Sequence, residues 1–253
     1  MSRSLRSAVR LCRCALHLCW GVAAAIVLPW LSPKARSFLV ARWSRQLLDV
    51  LGIQIEVDGT PPTRGLLVAN HISWVDIFAI NASATTTFLA KDEVRDWPAI
   101  GWLAERAGTL FLERGSRAAA QRARRLLIDE LRRDNRVGVF PEGTTSLGEQ
   151  VMPFHGALFQ SAIDAEATVA PVLLRYTEAN GRPTAAAAYV GDTSLWQCVR
   201  GIAATGGLTA HVAFLPPIDS GAGIDRRHLA HRSHQAISHA LSRATHPHPP
   251  GST

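Results

Sequence analysis

His71 and Asp76 are the pair of residues in this sequence best suited to move a proton. A histidine that acts as a general base is commonly held by a carboxylate, which fixes the imidazole tautomer and stabilises the charged ring. Five residues of regular helix turn the chain by about 500°, which would leave the two side chains roughly 140° apart. We therefore predict that His71 lies in a loop and that Asp76, in the first turns of a helix, reaches back to it. Asn70 and Ser73 fit the cap of that helix. The plainer alternative is that Asp76 caps backbone amides and His71 is a polar surface residue.

A second string with chemical potential is Phe140–Ser146, which reads Phe-Pro-Glu-Gly-Thr-Thr-Ser. Both strings follow apolar runs that are typical of strands, Leu66–Ala69 and Val137–Phe140. In α/β proteins the loops at strand ends carry most of the chemistry. We therefore expect the two strings to belong to one site.

Two further strings complete an ordered set of four that resembles the conserved blocks of the glycerolipid acyltransferase family. The best-known members of that family are the 1-acylglycerol-3-phosphate acyltransferases. The blocks are Asn70–Asp76, Gly108–Arg114, Phe140–Ser146 and Val169–Val172, in that order. The resemblance spans roughly residues 65 to 175, and the first and third blocks are its most specific parts.

The resemblance implies an O-acyltransferase. It would move a fatty acyl group from acyl-CoA or acyl carrier protein to the free hydroxyl of 1-acylglycerol-3-phosphate, giving phosphatidic acid. His71 would take the hydroxyl proton while Asp76 holds the Nδ1–H. The sequence has no Gly-x-Ser-x-Gly motif, and Cys198 lies outside any motif, so direct attack by the acceptor is favoured over an acyl-enzyme. The acyl thioester is a co-substrate, and we expect no cofactor.

The residues that bind the acceptor are expected in the second and third blocks. Gly143, Thr144 and Thr145 follow a strand and could form a turn that receives a polar head group. The resemblance implies that Glu142 orients the acceptor and that Arg114 contacts its phosphate through a charge-assisted hydrogen bond.

Thr145 is a departure from the family pattern, because many members that use lysophosphatidate have Arg at this position. A second phosphate ligand is then missing, unless the nearby Arg117 or His155 replaces it. The Thr-Thr-Ser form leaves lyso-ornithine lipid as an alternative acceptor, with lysophosphatidate preferred. Two other classes of function, a thioesterase and a catalytically silent lipid-binding or scaffold protein, fit the sequence less well. The first lacks its usual serine, and the second leaves the His71 and Asp76 pair unexplained.

The positive charge of the chain is concentrated at its N-terminal end. The formal net charge is +7 at pH 7, and eight basic residues precede Asp49, the first acidic one. The rest of the chain is close to neutral, which argues against a general nucleic-acid binder. A basic, apolar N-terminus suits an anionic membrane surface instead.

The segment Ala15–Leu31 is apolar and nearly uncharged over about 17 residues, the lower limit for a membrane span. Positive charge flanks both ends, so we favour attachment to one face of the membrane, with residues 36–51 as the second arm of a hairpin, over a single span. The expected location is the cytoplasmic face of a bacterial inner membrane. Trp20, Trp30 and Trp43 could lie at headgroup depth or pack against the domain. The four cysteines show no zinc spacing, so no metal site is expected.

Strand-like runs alternate with helical stretches through the remainder, so we predict an α/β fold with a mixed sheet flanked by helices. The clearest helix is 116–133, with Leu127 and Leu131 on one face. The predicted divisions are a membrane-associating segment at 1–50, an acyltransferase domain at 51–243 and a disordered tail at 244–253. The predicted strands are Ile53–Val57, Leu66–Ala69, Thr86–Ala90, Thr109–Leu112, Val137–Phe140, Val169–Leu174, Ala187–Val190 and His211–Leu215.

Overall fold

A computed structural model of the chain describes residues 3–112, 117–221 and 223–245. Over these ranges it contains a seven-stranded sheet with helices on both faces, which confirms the predicted fold class. The helices are α1 (Arg3–Val27), α2 (Pro33–Leu51), α3 (Asp76–Ser83), α4 (Ile100–Arg106), α5 (Arg117–Arg132), α6 (Gln160–Asp164), α7 (Leu195–Ala204) and α8 (Arg226–Thr245). The strands are β1 (Ile53–Asp58), β2 (Gly65–Ala69), β3 (Thr87–Lys91), β4 (Leu110–Leu112), β5 (Arg136–Val139), β6 (Val169–Glu178) and β7 (Leu208–Phe214).

The order of the strands in the sheet is β1-β7-β6-β2-β5-β3-β4. All neighbouring strands are parallel except β6 and β7, which are antiparallel. β2 lies between β5 and β6, so its carboxyl end at Ala69 is next to the carboxyl end of β5 at Val139. The two sequence strings therefore begin side by side at one edge of the sheet.

The side chains of β2 alternate between two apolar layers, as the pleat of a strand requires. Leu67 and Ala69 face a layer covered by α2, α3 and α7. Leu66 and Val68 face the opposite layer, which α5, α6 and α8 cover. A central parallel strand buried on both faces explains why its sequence is a continuous apolar run.

Seven of the eight predicted strands are present, with ends that shift by up to four residues. The prediction of a strand at Ala187–Val190 is wrong, because this segment is a loop. β7 occupies the place beside β6, and Ala187 is instead buried against α7, where its carbonyl lies 3.6 Å from the sulfur of Cys198. The predicted helix at 116–133 is present as α5, with Leu127 and Leu131 buried. Position 116 lies outside the described residues.

The N-terminal part of the chain folds as a hairpin of two helices, as predicted. Ser32 begins α2 by accepting a hydrogen bond from the amide of Ala35 at 3.3 Å, and Pro33 follows at the first helical position. Gly52 ends α2 with φ at +79°, a conformation that favours glycine. At the other end of the chain, α8 continues to Thr245, and residues 246–253 of the predicted tail lie outside the described range.

The hairpin is attached to the α/β domain by specific contacts. Arg10 donates hydrogen bonds to the carbonyls of Ala203 and Thr205 at the end of α7, at 3.3 and 3.0 Å. Trp43 stacks on His17, with 4.8 Å between ring centroids. Of the two alternatives for Trp43, packing is therefore the one observed.

One helical stretch in the described part of the chain, Ser4–Trp30, is long and apolar enough to cross a membrane by length and composition. An 18-residue window within it has a mean hydropathy of 1.9, and 28% of that window is buried against the protein. Several large apolar side chains of the hairpin are exposed, with Trp30 at 77% and Phe38 at 68%. These features are those of a segment that associates with a membrane.

Candidate active site

His71 lies in the loop between β2 and α3, and its ring is held by the first residue of α3. Nδ1 of His71 is 2.8 Å from Oδ2 of Asp76. The side chain of Asp76 is fully buried, whereas that of His71 keeps 20% of its surface exposed. Because an ionised carboxylate only accepts hydrogen bonds, the proton is on Nδ1, and Nε2 carries the lone pair of a base. The predicted loop-to-helix geometry of the pair is the one observed.

Both oxygens of Asp76 are fixed by further donors. Oδ2 also accepts the backbone amides of Ile72 and Ser73, at 2.7 and 2.9 Å. Oδ1 accepts the hydroxyl of Tyr176 at 2.6 Å. Asp76 thus caps backbone amides and holds the histidine at the same time, so the two alternatives drawn from the sequence are not exclusive.

Tyr176 is a site residue that the sequence analysis missed. Tyr176 is buried and lies on β6. β6 pairs with β2, the strand that ends just before His71. Burial, and then the charge of Asp76, raise the pKa of Tyr176 well above its usual value, so the hydroxyl keeps its proton and donates. Its alternation with Val172 and Leu174 could have placed it on the Asp76 side of the sheet.

The prediction that Asn70 and Ser73 cap the helix is wrong. Val75 occupies the cap position of α3, and no side chain caps it, because the Asp76 carboxylate already takes the loop amides. Asn70 instead joins β2 to β6, since its side chain exchanges two hydrogen bonds with the backbone of Leu174, at 2.9 and 2.8 Å.

Phe140, at the end of β5, brings the second string against the first. Its ring is stacked on that of His71, with 3.9 Å between centroids and 13° between planes. Phe88 is stacked beyond it at 5.8 Å. The amide of Ser146 donates to the carbonyl of His71 at 2.8 Å. The imidazole is therefore fixed by a carboxylate at its edge and an aromatic ring on its face.

Glu142 is buried beside this histidine loop, with 4% of its surface exposed. Its Oε1 accepts the amide of Met152 at 3.2 Å, and Oε2 has no hydrogen-bond partner among the described residues. Burial raises the pKa of Glu142 to about 7, and the charge of Asp76 adds to this, while the amides of Met152 and His71 oppose it.

Gly143 and Thr144 form the exposed turn after Glu142, and Gly143 has φ at +70°. A Cβ at Gly143 would lie 3.5 Å from the ring of His155, so this ring lies next to the turn. Thr145 faces away from the turn, and its hydroxyl donates to the carbonyl of Tyr189. The predicted acceptor residues 142–145 therefore lie together next to the histidine. Arg114 lies outside the described residues.

Cys198 is buried behind the site. Burial raises the pKa of its thiol, and the charge of Asp76 raises it further, so the thiol stays protonated. Its hydrogen-bonding contacts with the carbonyls of Ala187 and Ala188, at 3.6 and 3.8 Å, fit a structural role. Within the described ranges no cluster of three or more His, Cys, Asp or Glu side chains could hold a metal ion.

Comparisons with known proteins show the family to which the chain belongs. The acyltransferase family model matches residues 54–175. The lyso-ornithine lipid O-acyltransferase of Pseudomonas aeruginosa is 40% identical over 243 residues, which is 94% of this chain and 92% of that protein. The 1-acyl-sn-glycerol-3-phosphate acyltransferase of Neisseria meningitidis serogroup B is 39% identical over 209 residues, 81% of each protein.

The fold is shared with a solved structure. The crystal structure of the 1-acyl-sn-glycerophosphate (LPA) acyltransferase, PlsC, from Thermotoga maritima is similar with a TM-score of 0.73 at 20% identity. The similarity covers 98% of this chain and 100% of that one. The chain belongs to the acyltransferase family, and the protein is an acyltransferase. Within the family, it lies among relatives named as lyso-ornithine lipid and 1-acyl-sn-glycerol-3-phosphate acyltransferases, which confirms the resemblance seen in the four blocks.

Proposed function

We propose that the enzyme transfers a fatty acyl group from a thioester of coenzyme A or acyl carrier protein to the free hydroxyl of 1-acylglycerol-3-phosphate. The product is phosphatidic acid. The observation that carries this proposal is the His71–Asp76 pair, with Nε2 of His71 as the base, beside the turn of Glu142 and Gly143. The relatives named as 1-acyl-sn-glycerol-3-phosphate acyltransferases support the choice of acceptor.

In the reaction, Nε2 of His71 takes the proton of the acceptor hydroxyl as its oxygen attacks the thioester carbonyl. The buried Asp76 carboxylate stabilises the imidazolium that forms. The tetrahedral intermediate then expels the thiolate, which is a good leaving group. The protonated Cys198 and the lack of a serine motif favour direct transfer over an acyl-enzyme.

Glu142 is proposed to bind the acceptor from below the turn. Its unpartnered Oε2 is a buried acceptor atom that a donor from the bound head group or hydroxyl would satisfy. The exposed backbone of Gly143 and Thr144 leaves room for a polar head group above it. Arg114 is proposed as the phosphate contact, on the resemblance alone.

A second acceptor, lyso-ornithine lipid, is favoured by one observation. Thr145, which stands where many lysophosphatidate-using members have Arg, is engaged with the carbonyl of Tyr189 and offers no cation to a phosphate. Relatives named as lyso-ornithine lipid O-acyltransferases in Pseudomonas aeruginosa and Rhodobacter capsulatus are 40% and 38% identical.

The α1–α2 hairpin is proposed to hold the enzyme on the cytoplasmic face of a bacterial inner membrane. The exposed Trp30 and Phe38, together with the basic residues of α1, are suited to the interface of an anionic bilayer. We favour insertion into one leaflet over a span.

The test is an acylation assay in detergent with radiolabelled acyl-CoA and acyl carrier protein thioesters. Lysophosphatidate and lyso-ornithine lipid are offered in parallel. Label should enter phosphatidate, and His71→Ala should lower the rate by about 10² to 10⁴, the usual contribution of a general base. His239→Ala, an exposed histidine on α8, is the matched control and should leave the acyl-CoA rate unchanged.

Each alternative has its own outcome in this assay. Label that enters ornithine lipid alone would show that the acceptor is lyso-ornithine lipid and not lysophosphatidate. Release of thiol without either lipid product would indicate a thioesterase. Full activity of His71→Ala would refute the assignment of the base.

A further inference from the structure

We propose that the exposed face of α8 is a docking surface for an acidic acyl carrier protein, which delivers the acyl thioester to the site. The inference rests on the proposed acyltransferase function and specifies its donor. It is carried by the charge of α8, by the contact of α8 with the active-site loop, and by its location on the face of the sheet opposite the hairpin.

All the charge that α8 itself carries is positive, and the acid next to it in the chain, Asp225, accepts the amides of Arg227 and His228 at the start of the helix. The helix contains four arginines, four histidines and no acidic residue. No α8 side chain takes part in an ion pair among the residues that the structure describes. The exposed members of its outer face are Arg227, His228, His231, Arg232, His239 and Arg243.

The arginines of α5 provide the contrast. Arg124 is paired with Asp164, and Arg133, which follows α5, is paired with Glu130 at 2.6 Å. Such pairs hold these two guanidinium groups against acids of their own surface. The guanidinium groups of α8 form no such ion pair among the described residues, although Asp225 interacts with the charge of Arg227, and they stay charged at all physiological pH values. A surface of one sign attracts a partner of the opposite sign and speeds its association.

The N-terminal half of α8 packs on the segment that supports the active-site turn. Nε2 of His234 donates to the carbonyl of Val151 at 3.2 Å, and its ring lies edge-on to Phe154 at 5.4 Å. Gly156, two residues after Phe154, lies close to the start of α8. A Cβ added at Gly156 would be 3.4 Å from the carbonyl oxygen of Arg226.

The same segment reaches the site at its other side. The amide of Met152 donates to Glu142, and the ring of His155 lies against Gly143. A carrier docked on the outer face of α8 is therefore separated from the acceptor turn by one layer of chain. The flexible pantetheine arm that carrier proteins share with coenzyme A can extend across such a layer.

The location of α8 favours a soluble partner over the bilayer. α8 covers one face of the sheet with α5 and α6, whereas α2, α3 and α7 cover the other. The hairpin packs on α7 and α3, so the exposed apolar side chains that suit a membrane belong to the opposite layer. With the hairpin in the membrane, the α8 face is directed to the aqueous side.

The test compares two donors on one enzyme. In the double variant Arg227→Glu/Arg232→Glu, the KM for the acyl carrier protein thioester should rise at least tenfold. The kcat with this thioester, and both KM and kcat with acyl-CoA, should change less than twofold. A matched control, Arg182→Glu/Arg200→Glu, makes the same change in charge at two exposed arginines away from α8 and should leave all constants unchanged.

Several outcomes would overturn the inference. They are an unchanged KM for the carrier thioester, an equal loss with acyl-CoA, and a wild-type enzyme that accepts acyl-CoA but not the carrier. In that last case the proposed acyltransferase function would still stand. Loss of binding to anionic vesicles, with an unchanged carrier KM, would assign the α8 face to the membrane instead. If the double variant does not fold, Arg227→Gln/Arg232→Gln replaces it, with an expected rise in KM of at least threefold.

Discussion

Asp76 and Glu142 are two buried carboxyl groups beside the same histidine, and their surroundings differ. Asp76 receives four hydrogen bonds, from His71, two loop amides and Tyr176. Glu142 accepts the amide of Met152, and its Oε2 has no hydrogen-bond partner among the described residues. The difference suits Asp76 to hold a cationic ring and leaves Glu142 free to accept from a bound lipid.

At Tyr176, replacement by Phe should weaken both stability and catalysis. The change removes one donor and leaves Oδ1 of Asp76 buried and unsatisfied, at a cost of about 1 to 3 kcal/mol in the free energy of unfolding. We expect kcat to fall by less than in His71→Ala, since Asp76 keeps its other three bonds. Urea unfolding and steady-state rates measure the two effects. Tyr189→Phe is the control, because Tyr189 contributes its backbone to the site, and equal effects of both variants would contradict the assignment.

At Glu142, the raised pKa predicts a dependence of stability on pH. The folded state keeps the proton up to about pH 7, whereas the unfolded chain releases it near 4.5. This carboxyl therefore favours the folded state below pH 4.5, and that contribution is lost as the pH rises to about 7, by at most about 3 kcal/mol. Glu142→Gln should gain stability relative to wild type between pH 5 and pH 8 in thermal unfolding. A constant difference between the two proteins would show that the pKa is ordinary.

The element that departs most from a soluble enzyme is the α1–α2 hairpin. The hairpin has two sets of apolar side chains. One set is exposed, and the other, which includes Leu48 and Leu51, is buried in the core of the domain. Deletion of the hairpin would therefore uncover the core as well as remove the anchor. Point substitutions on the exposed face separate these two effects.

For the hairpin, we expect Trp30→Glu/Phe38→Glu to release the enzyme from vesicles while its melting temperature stays within about 2 °C. Each side chain is mostly exposed, so its change costs the fold little but removes apolar area from the bilayer, worth about 1.5 to 3 kcal/mol per side chain. Vesicle co-sedimentation measures binding. Val57→Glu, an exposed apolar residue on β1, is the control. Full sedimentation of the double variant would exclude this face as the anchor.

The sequence predicted elements where one local signal dominates. The apolar run at β2 and the Leu127 and Leu131 spacing of α5 needed no tertiary information. Ala187–Val190 has a strand-like composition, but its place is decided by the pairing of β7 with β6, a contact with a distant part of the chain. The loop prediction for His71 succeeded because helix geometry excluded the alternative. Asn70 and Ser73 depended on contacts with β6 or with the Asp76 carboxylate, which sequence spacing does not encode. For Tyr176, the alternation along β6 indicates the face of the sheet but not the hydrogen bond to Asp76.

At the scale of the whole molecule, the sheet separates the face that carries the hairpin from the face that carries α8. The hairpin, α3 and α7 lie on one face, and α5, α6 and α8 lie on the other. The site is at the edge between them, so under the proposed function the lipid acceptor and the soluble donor approach from different directions. This arrangement requires a rigid connection between the hairpin and the domain.

Arg10 is the residue through which that connection can be tested. Arg10→Ala removes two hydrogen bonds to the carbonyls that end α7, with an expected loss of about 1 to 3 kcal/mol in the coupling of α1 to the domain. Activity on lysolipid in vesicles should fall several-fold, whereas activity on a short-chain analogue dispersed in detergent should persist. Arg13→Ala, a neighbouring basic residue of α1, controls for lost charge. Parallel losses with both substrates would contradict the coupling.

The carbonyls of His71 and Ile72 each accept an amide from a different loop, Ser146 from one and Tyr189 from the other, and Thr145 links those two loops. Chimaeras that exchange one loop for that of a relative with another acceptor would therefore shift His71 itself. Acceptor preference in this scaffold is therefore expected to evolve by replacement of both loops together. A graft of one loop alone should lose activity without gaining a preference for the other acceptor.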